Sequence, residues 1–341
     1  MNILLDGYLD RNFGDDMLMR LTAYYFPEHR FYIQTPQKEL LLPFRAVENV
    51  LDYELEPPEK LDFALTVIGS GFILRRIQSL YTFMRRERQR RKLTRGIPTA
   101  VIGCSIGPFS SGIPERRLLD KLRSYDFITV REQYSADYLR QNRIACAYYP
   151  DIAFTLPDGW IPEASGEACL GISAYRREGM DNLPLYRAMS AAADAFIRRT
   201  GNRVLLFALD LGRENDLSAA YTIRSLSDFP EQMEIIPHDD CGGRVIAGLR
   251  RCGCLIAVRL HMAVMALRLG IPFVPVAYSQ KTWNLLRDLN YPGEIFSVDS
   301  IAEKALDEAV RTAQTFPVSR DYLEAAQGHF IKVRELLQSQ G

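Results

Sequence analysis

Arg259 and His261 stand two residues apart between a continuous apolar run, CLIAV, and a helical pattern, MAVMALRLG, that stops at Gly270 before Pro272. An uninterrupted apolar run suits a strand buried on both faces, so the pair is expected at a strand-to-helix turn. There Arg offers a planar fork of donors, and the helix adds backbone N–H groups and the positive end of its dipole. Together they make a compact receptor for a dianionic group. A lone histidine would read as a helix cap or a core residue, and Arg259 also fits a structural ion pair with the other domain. Lys281 follows the strand-like PFVPVAY and opens the helix KTWNLLRDL. A cation there opposes the helix dipole, so Lys281 is either a ligand for an anion or an ordinary solvated lysine.

A second group follows the first apolar run, NILLDG, in the stretch GYLDRNFGDD. It has neither the G-x-G-x-x-G nor the Walker A spacing, which removes dinucleotide and P-loop chemistry. Gly14 is expected to permit an unusual backbone conformation ahead of a helix that starts at Asp15 or Asp16. N-capping by Asp15 accounts for one carboxylate, while Asn12, Asp15 and Asp16 together also suit sugar hydroxyls or a general base. Gly71 in VIGSGF and Gly107 in VIGCSIGPF end strands, either as tight turns or to let backbone approach a ligand. Arg131 ends FITV as a second anion ligand, and Asp151 follows the next strand. Cysteines 104, 146, 169, 241, 252 and 254 fall largely in apolar runs and read as reduced small hydrophobes; the C-x-C pair lacks the partners of a zinc site, and no metal is expected.

These residues must be held by elements that alternate short apolar runs with helical patterns, the sequence form of a parallel sheet covered on both faces. Strands are expected near 2–7, 30–35, 62–68, 98–104, 126–131 and 145–149, and again near 169–174, 203–209, 233–237, 254–259, 272–277 and 294–298. Helices fill the intervals, and the 40–60 stretch has no clear period. LPDGWIPEASGEA, residues 156–168, reads as a linker. The expected organisation is an α/β chain of two doubly wound, Rossmann-like domains facing a cleft, residues 1–157 and 168–318. One amphipathic helix, 319–341, would pack back on the first domain. A length of 341 residues suits two cores.

Forty-two basic and 42 acidic residues cancel, so whole-molecule charge offers no argument for nucleic-acid binding. The start lacks a signal-peptide pattern and no run of about 18 apolar residues occurs, so a cytoplasmic protein is expected. Residues 72–95 carry nine Lys or Arg against one Glu. This segment is either a solvated basic helix or a contact for an anionic membrane surface or a lipid-linked pyrophosphate sugar.

In order along the chain, NFGDDML, GSGF, GCSIGPF, TVREQYSADYL, YPDIAF and VRLHMAVMALRLGIPFVPVAYSQK resemble landmarks of the polysaccharide pyruvyl transferase family. Arg-Leu-His with its helix, Gly-x-Pro and Tyr-x-x-Lys is the specific part; GSGF has fewer glycines than the family's turn. The resemblance implies an architecture of the B-type glycosyltransferase kind, phosphoenolpyruvate as donor rather than a bound cofactor, and a saccharide diol as acceptor, in exopolysaccharide or cell-wall polysaccharide synthesis. It implies that Arg259, Arg131 and Lys281 neutralise the donor, that His261 binds the donor or acts as acid, and that Asp15 or Asp151 is the base. Two other readings stand beside it: a nucleotide-sugar glycosyltransferase using DLGREND, residues 210–216, and an inert paralogue acting as a binding module.

Overall fold

The computed structural model describes residues 1–68, 77–107, 113–239, 241–301 and 303–339. Gly71 and part of the basic segment therefore lie outside the described residues. The chain divides into two compact units: Met1–Leu9, Asp15–Thr155 and Asp321–Gly341 form the first, Asp10–Gly14 and Leu156–Arg320 the second.

The first unit is built on a parallel seven-stranded sheet. Its strands are β1 (Asn2–Gly7), β2 (Arg30–Ile33), β3 (Val50–Asp52), β4 (Phe63–Val67), β5 (Thr99–Cys104), β6 (Phe127–Val130) and β7 (Ala147–Tyr148). Their order is β3-β2-β1-β4-β5-β6-β7. Every residue of β4 and β5 is buried, as strands sandwiched between helices require. Between them run α1 (Phe13–Tyr25), α2 (Ile77–Leu93), α3 (Ile113–Leu122) and α4 (Gln133–Gln141). The order reverses between β1 and β4, and in such sheets the crevice beyond the carboxyl ends at that point receives ligands.

α2 sorts its charges by face. Its one acid, Glu87, is turned inward, where Arg90, Arg91 and Lys121 reach it. Against the cost of burial, Arg90 and Lys121 hold its carboxyl down to about 2. Arg90 also lies over the Tyr125 ring. Arg85, Arg88, Arg91 and Lys92 remain exposed, with Met84 among them.

The second unit holds β8 (Cys169–Ala174), β9 (Val204–Ala208), β10 (Met233–Pro237), β11 (Cys252–Ala257), β12 (Phe273–Ala277) and β13 (Phe296–Ser297), all parallel in the order β10-β9-β8-β11-β12-β13. The helices are α5 (Leu183–Thr200), α6 (Asp216–Leu226), α7 (Gly243–Leu249), α8 (Leu260–Leu269), α9 (Gln280–Asp288) and α10 (Glu303–Thr312). Here the order reverses between β8 and β11.

The chain then returns to the first unit through α11 (Arg320–Ala325) and α12 (Gly328–Gln338). The single terminal helix expected from periodicity is thus two helices. The break falls at Ala326 and Gln327, and α12 then opens with Gly328, where an added Cβ would enter the ring of Tyr149. The 40–60 stretch resolves into a 3₁₀ turn, Lys38–Phe44, carrying Pro43, and the three-residue edge strand β3. Half-buried and short, β3 leaves no alternation to read.

Candidate functional site

In the second unit, Ala257 ends β11, Arg259 is the N-cap of α8, and His261 is the second helical residue. The backbone N–H of Arg259 donates to Ser173 Oγ at 3.2 Å, tying this turn to the adjoining strand β8 at the topological reversal. The Arg259 side chain lies over the Tyr175 ring, 4.8 Å from its centroid, and near Tyr278, whose ring is 4.4 Å from that of Tyr175.

Its donors are already directed. Nε and Nη2 donate to the two carboxylate oxygens of Asp216 at 2.9 and 2.5 Å, and Nη1 donates to Glu214. Asp210 lies 4.0 Å from Nη2. Asp216, with no solvent exposure, also accepts the backbone N–H groups of Arg176 and Asp210. Burial pushes the Asp216 carboxyl up to about 6 while Arg259 opposes the rise. Burial disfavours the guanidinium charge too, but Asp216 more than offsets it and raises Arg259 well above its ordinary value.

One cation therefore faces three acids. Where the sequence suggested a fork facing a dianion, Arg259 here meets the loop 210–216 of its own unit, because β9 ends beside β8 and delivers those acids to the same edge. The ion-pair alternative anticipated a partner in the other domain, and that is corrected. Asp210 and Asp216, in the stretch read as a possible ribose clamp, are buried against Arg259.

The stretch Asp10–Gly14 reaches this loop. Asn12 forms an antiparallel bridge with Asp210; Phe13 N–H donates to Leu209 O at 2.8 Å and Leu211 N–H to Arg11 O at 3.2 Å. Asn12 Nδ2 donates to Asp210 at 3.1 Å, and its Oδ1 accepts the Gly14 N–H at 3.0 Å, the geometry of an N-cap. Helix α1 begins at Phe13, so Asn12 rather than Asp15 takes the capping place; Asp15 and Asp16 are buried in the first turn. Gly14 is a glycine for a different reason from the one expected. Its φ is not left-handed, but an added Cβ would fall inside the imidazole of His261. Gly14 and His261 are thereby brought into contact within the second unit. Lys281 is the second residue of α9 and is half-buried.

In the first unit, Arg131 follows β6 and Asp151 follows β7, and the two are joined. Arg131 Nη1 donates to Asp151 Oδ2 at 2.7 Å and Nε to Ser105 Oγ at 2.9 Å, with both charged side chains at most 3% exposed. Asp151 Oδ1 accepts the Ala153 N–H at 2.9 Å. Arg131 and Asp151, read separately in the sequence, are thus held as one buried pair. Gly107, buried after β5, takes φ 83°, a turn that side chains avoid. Its neighbour Ile106 N–H donates to Ser135 Oγ at 2.8 Å.

The partners that periodicity did not reveal are Ser173, Tyr175, Glu214 and Asp216. Only DLGREND, an acidic stretch after the apolar run VLLFA, carried a signal for them. Among the described residues no cluster of three or more His, Cys, Asp or Glu is placed to hold a metal ion, and no helix is long and apolar enough to cross a membrane.

Residues 12–280 match the family described as polysaccharide pyruvyl transferase. No curated protein matches the chain. Among solved structures, the UDP-N-acetylglucosamine 2-epimerase of Rickettsia bellii is similar at TM-score 0.61 and 12% identity, over 100% of this chain and 97% of its own. The UDP-GlcNAc 2-epimerase of Methanocaldococcus jannaschii has TM-score 0.59 and 8% identity, over 98% and 100%. HepE of Anabaena, solved with UDP and glucose, has TM-score 0.57 and 12% identity, over 99% and 100%. At these identities the likeness carries the fold alone: two Rossmann-like α/β domains of the GT-B kind.

Proposed function

Because the chain belongs to the polysaccharide pyruvyl transferase family, we propose that it moves the enolpyruvyl group of phosphoenolpyruvate onto two hydroxyls of one saccharide, releasing phosphate and a pyruvate ketal. The coarser statement, a transferase of polysaccharide modification, follows from membership. The observation that carries the finer one is the extent of the match, from Asn12 through His261 to Gln280, which takes in both stretches that meet at Gly14 and His261.

Protonation of the methylene carbon of phosphoenolpyruvate makes an oxocarbenium-like centre at C2. One sugar hydroxyl attacks it, phosphate leaves, and the second hydroxyl closes the ketal. Of the two hydroxyl protons lost, one balances the new methyl group and one leaves with phosphate. His261, at the positive end of α8, serves as the acid or binds the donor, and Lys281 adds a cation at the start of α9. Asp15 or Asp151 is the base in this reading. Arg259 acts indirectly, by holding loop 210–216 against the Asn12 segment.

Incubation with phosphoenolpyruvate and a panel of free and lipid-linked glycans, following phosphate and product mass, tests this. Phosphate appearing only with an acceptor is expected, and His261→Ala should abolish it at unchanged melting temperature. Protection against proteolysis by a nucleotide sugar and not by phosphoenolpyruvate would overturn the reading in favour of glycosyl transfer.

We further propose that the acceptor is lipid-linked and that the enzyme works at the cytoplasmic face of a membrane through α2. The exposed Arg85, Arg88, Arg91 and Lys92 support attraction to anionic headgroups at about 1 kcal/mol per cation near the surface. Arg90 is excluded from that face by Glu87. Replacing Arg85, Arg88 and Arg91 by Gln should weaken binding to phosphatidylglycerol liposomes at low salt; unchanged binding removes the idea.

A further inference from the structure

Outside the strand-end residues, the second unit has a cavity of about 570 Å³ along α9, lined by Gln280, Trp283, Leu286, Arg287, Asn290 and Tyr291. Its size lies in the range of small-ligand sites, roughly 300–1,000 Å³. Trp283 is 40% exposed, an unusual placement for the largest apolar side chain, while Leu286 forms a buried floor at 1%. The other large apolar side chains exposed in this unit, Met180, Leu183, Tyr221 and Leu226, belong to other elements, so Trp283 is not one corner of a flat hydrophobic patch on α9.

The polar groups around the indole are braced. Asn284, 1% exposed, accepts at Oδ1 from Gln280 Nε2 at 3.4 Å and from Arg287 Nη2 at 3.3 Å, setting an amide and a guanidinium along the helix face that carries Trp283. Tyr291 is fixed against Phe273 and Phe316, each with ring centroids 5.4 Å away, and Gly293 gives its hydroxyl end room that a Cβ would take. An aromatic face with amides that both donate and accept, plus one cation, matches a sugar ring, which has an apolar C–H face and a rim of hydroxyls. Protein partners of ordinary stability need about 800 Å² on each side, far more than one indole offers.

We propose that this groove is a saccharide subsite, with Trp283 as the platform and Gln280, Arg287 and Asn290 as hydroxyl partners. Because α9 starts at the carboxyl end of β12, one residue from Lys281, a bound chain runs from the reacting end along the helix. Calling that saccharide the acceptor rests on pyruvyl transfer; the binding itself does not.

The full chain, without phosphoenolpyruvate, is titrated with tetrasaccharides of glucose, mannose, galactose and N-acetylglucosamine while tryptophan emission is followed. The protein has two tryptophans, so Trp160→Phe leaves Trp283 as sole reporter. A saturable blue shift in that variant is expected with at least one sugar, and Trp283→Ala should weaken its calorimetric affinity about tenfold, the loss of roughly 1.4 kcal/mol of stacking. No shift with any member, or wild-type affinity in Trp283→Ala, overturns the proposal. Loss of self-association in Trp283→Ala without a sugar effect also overturns it and identifies a protein contact instead. Failure of phosphate release with sugar binding intact would sink pyruvyl transfer and leave the subsite standing.

Discussion

Arg259 and His261 are two residues apart and answer to different partners, and the difference decides what each substitution does. Asp216 meets Arg259 with both oxygens and is wholly buried. Removing one member of a buried pair strands the other charge, at about 3–5 kcal/mol. Asp216→Ala should therefore lower the unfolding free energy from urea titration by that amount, with a lower midpoint, whereas Glu214→Gln, at a partly exposed partner, should cost far less. Equal midpoints for Asp216→Ala and wild type would show that the pair is not a structural clamp. His261 packs against Gly14, where an added Cβ would fall inside the imidazole, and its loss should be read in activity. The sequence marked both residues because an apolar run handing over to a helix is legible over twenty residues. It did not show Asp216, because a contact between residues 43 positions apart depends on which strands lie side by side. The turn was therefore legible and its charge partners were not.

At the scale of elements, α12 is pinned to the first sheet by one histidine. His329 Nε2 lies 2.9 Å from the Pro150 carbonyl, which only accepts, so Nε2 carries the proton. Nδ1, 2.6 Å from Thr129 Oγ1, then accepts from that hydroxyl, which itself accepts the Gly103 N–H. Burial pushes His329 down to about 4 from 6.5. On acidification the unfolded chain takes up its proton first, so this contribution is full above pH 6.5 and is lost progressively as pH falls toward 4. The total is about 3 kcal/mol. Wild-type stability, measured by urea unfolding at pH 7 and 5, should fall more steeply than that of His329→Gln; parallel curves would mean that the imidazole is not the sensor. The interior elements were readable because strands such as VLLFA and FALTV are apolar throughout, a pattern that burial on both faces imposes. β3 and the break before α12 were not, since a half-buried three-residue edge leaves no alternation and the apolar spacing of the terminal segment runs on across Ala326 and Gln327.

For the whole molecule, the alternation of strands and helices made two sheets legible, but membership in a unit does not follow chain order. The chain leaves the first unit after Leu9, gives Asp10–Gly14 to the second, and returns at Asp15. Phe13 is 1% exposed, its ring edge-on to His238 and near Gly242, and its N–H donates to Leu209 O. Nothing in GYLDRNFGDD distinguishes such a strap from a loop capping its own helix, because its partners lie some 200 residues away. Phe13→Ala removes a buried ring and should cost about 3–5 kcal/mol. By hydrogen exchange, amides of residues 209–213 and 241–246 should become less protected although the substitution lies at the first residue of α1. Changes confined to α1 would mean that the strap adds nothing to the second unit. If protection falls as expected, His261 loses the wall supplied by Gly14 at the same time, so Phe13→Ala should lower kcat for phosphate release more than it raises KM for phosphoenolpyruvate, a split that links the strap to the imidazole's position rather than to stability alone.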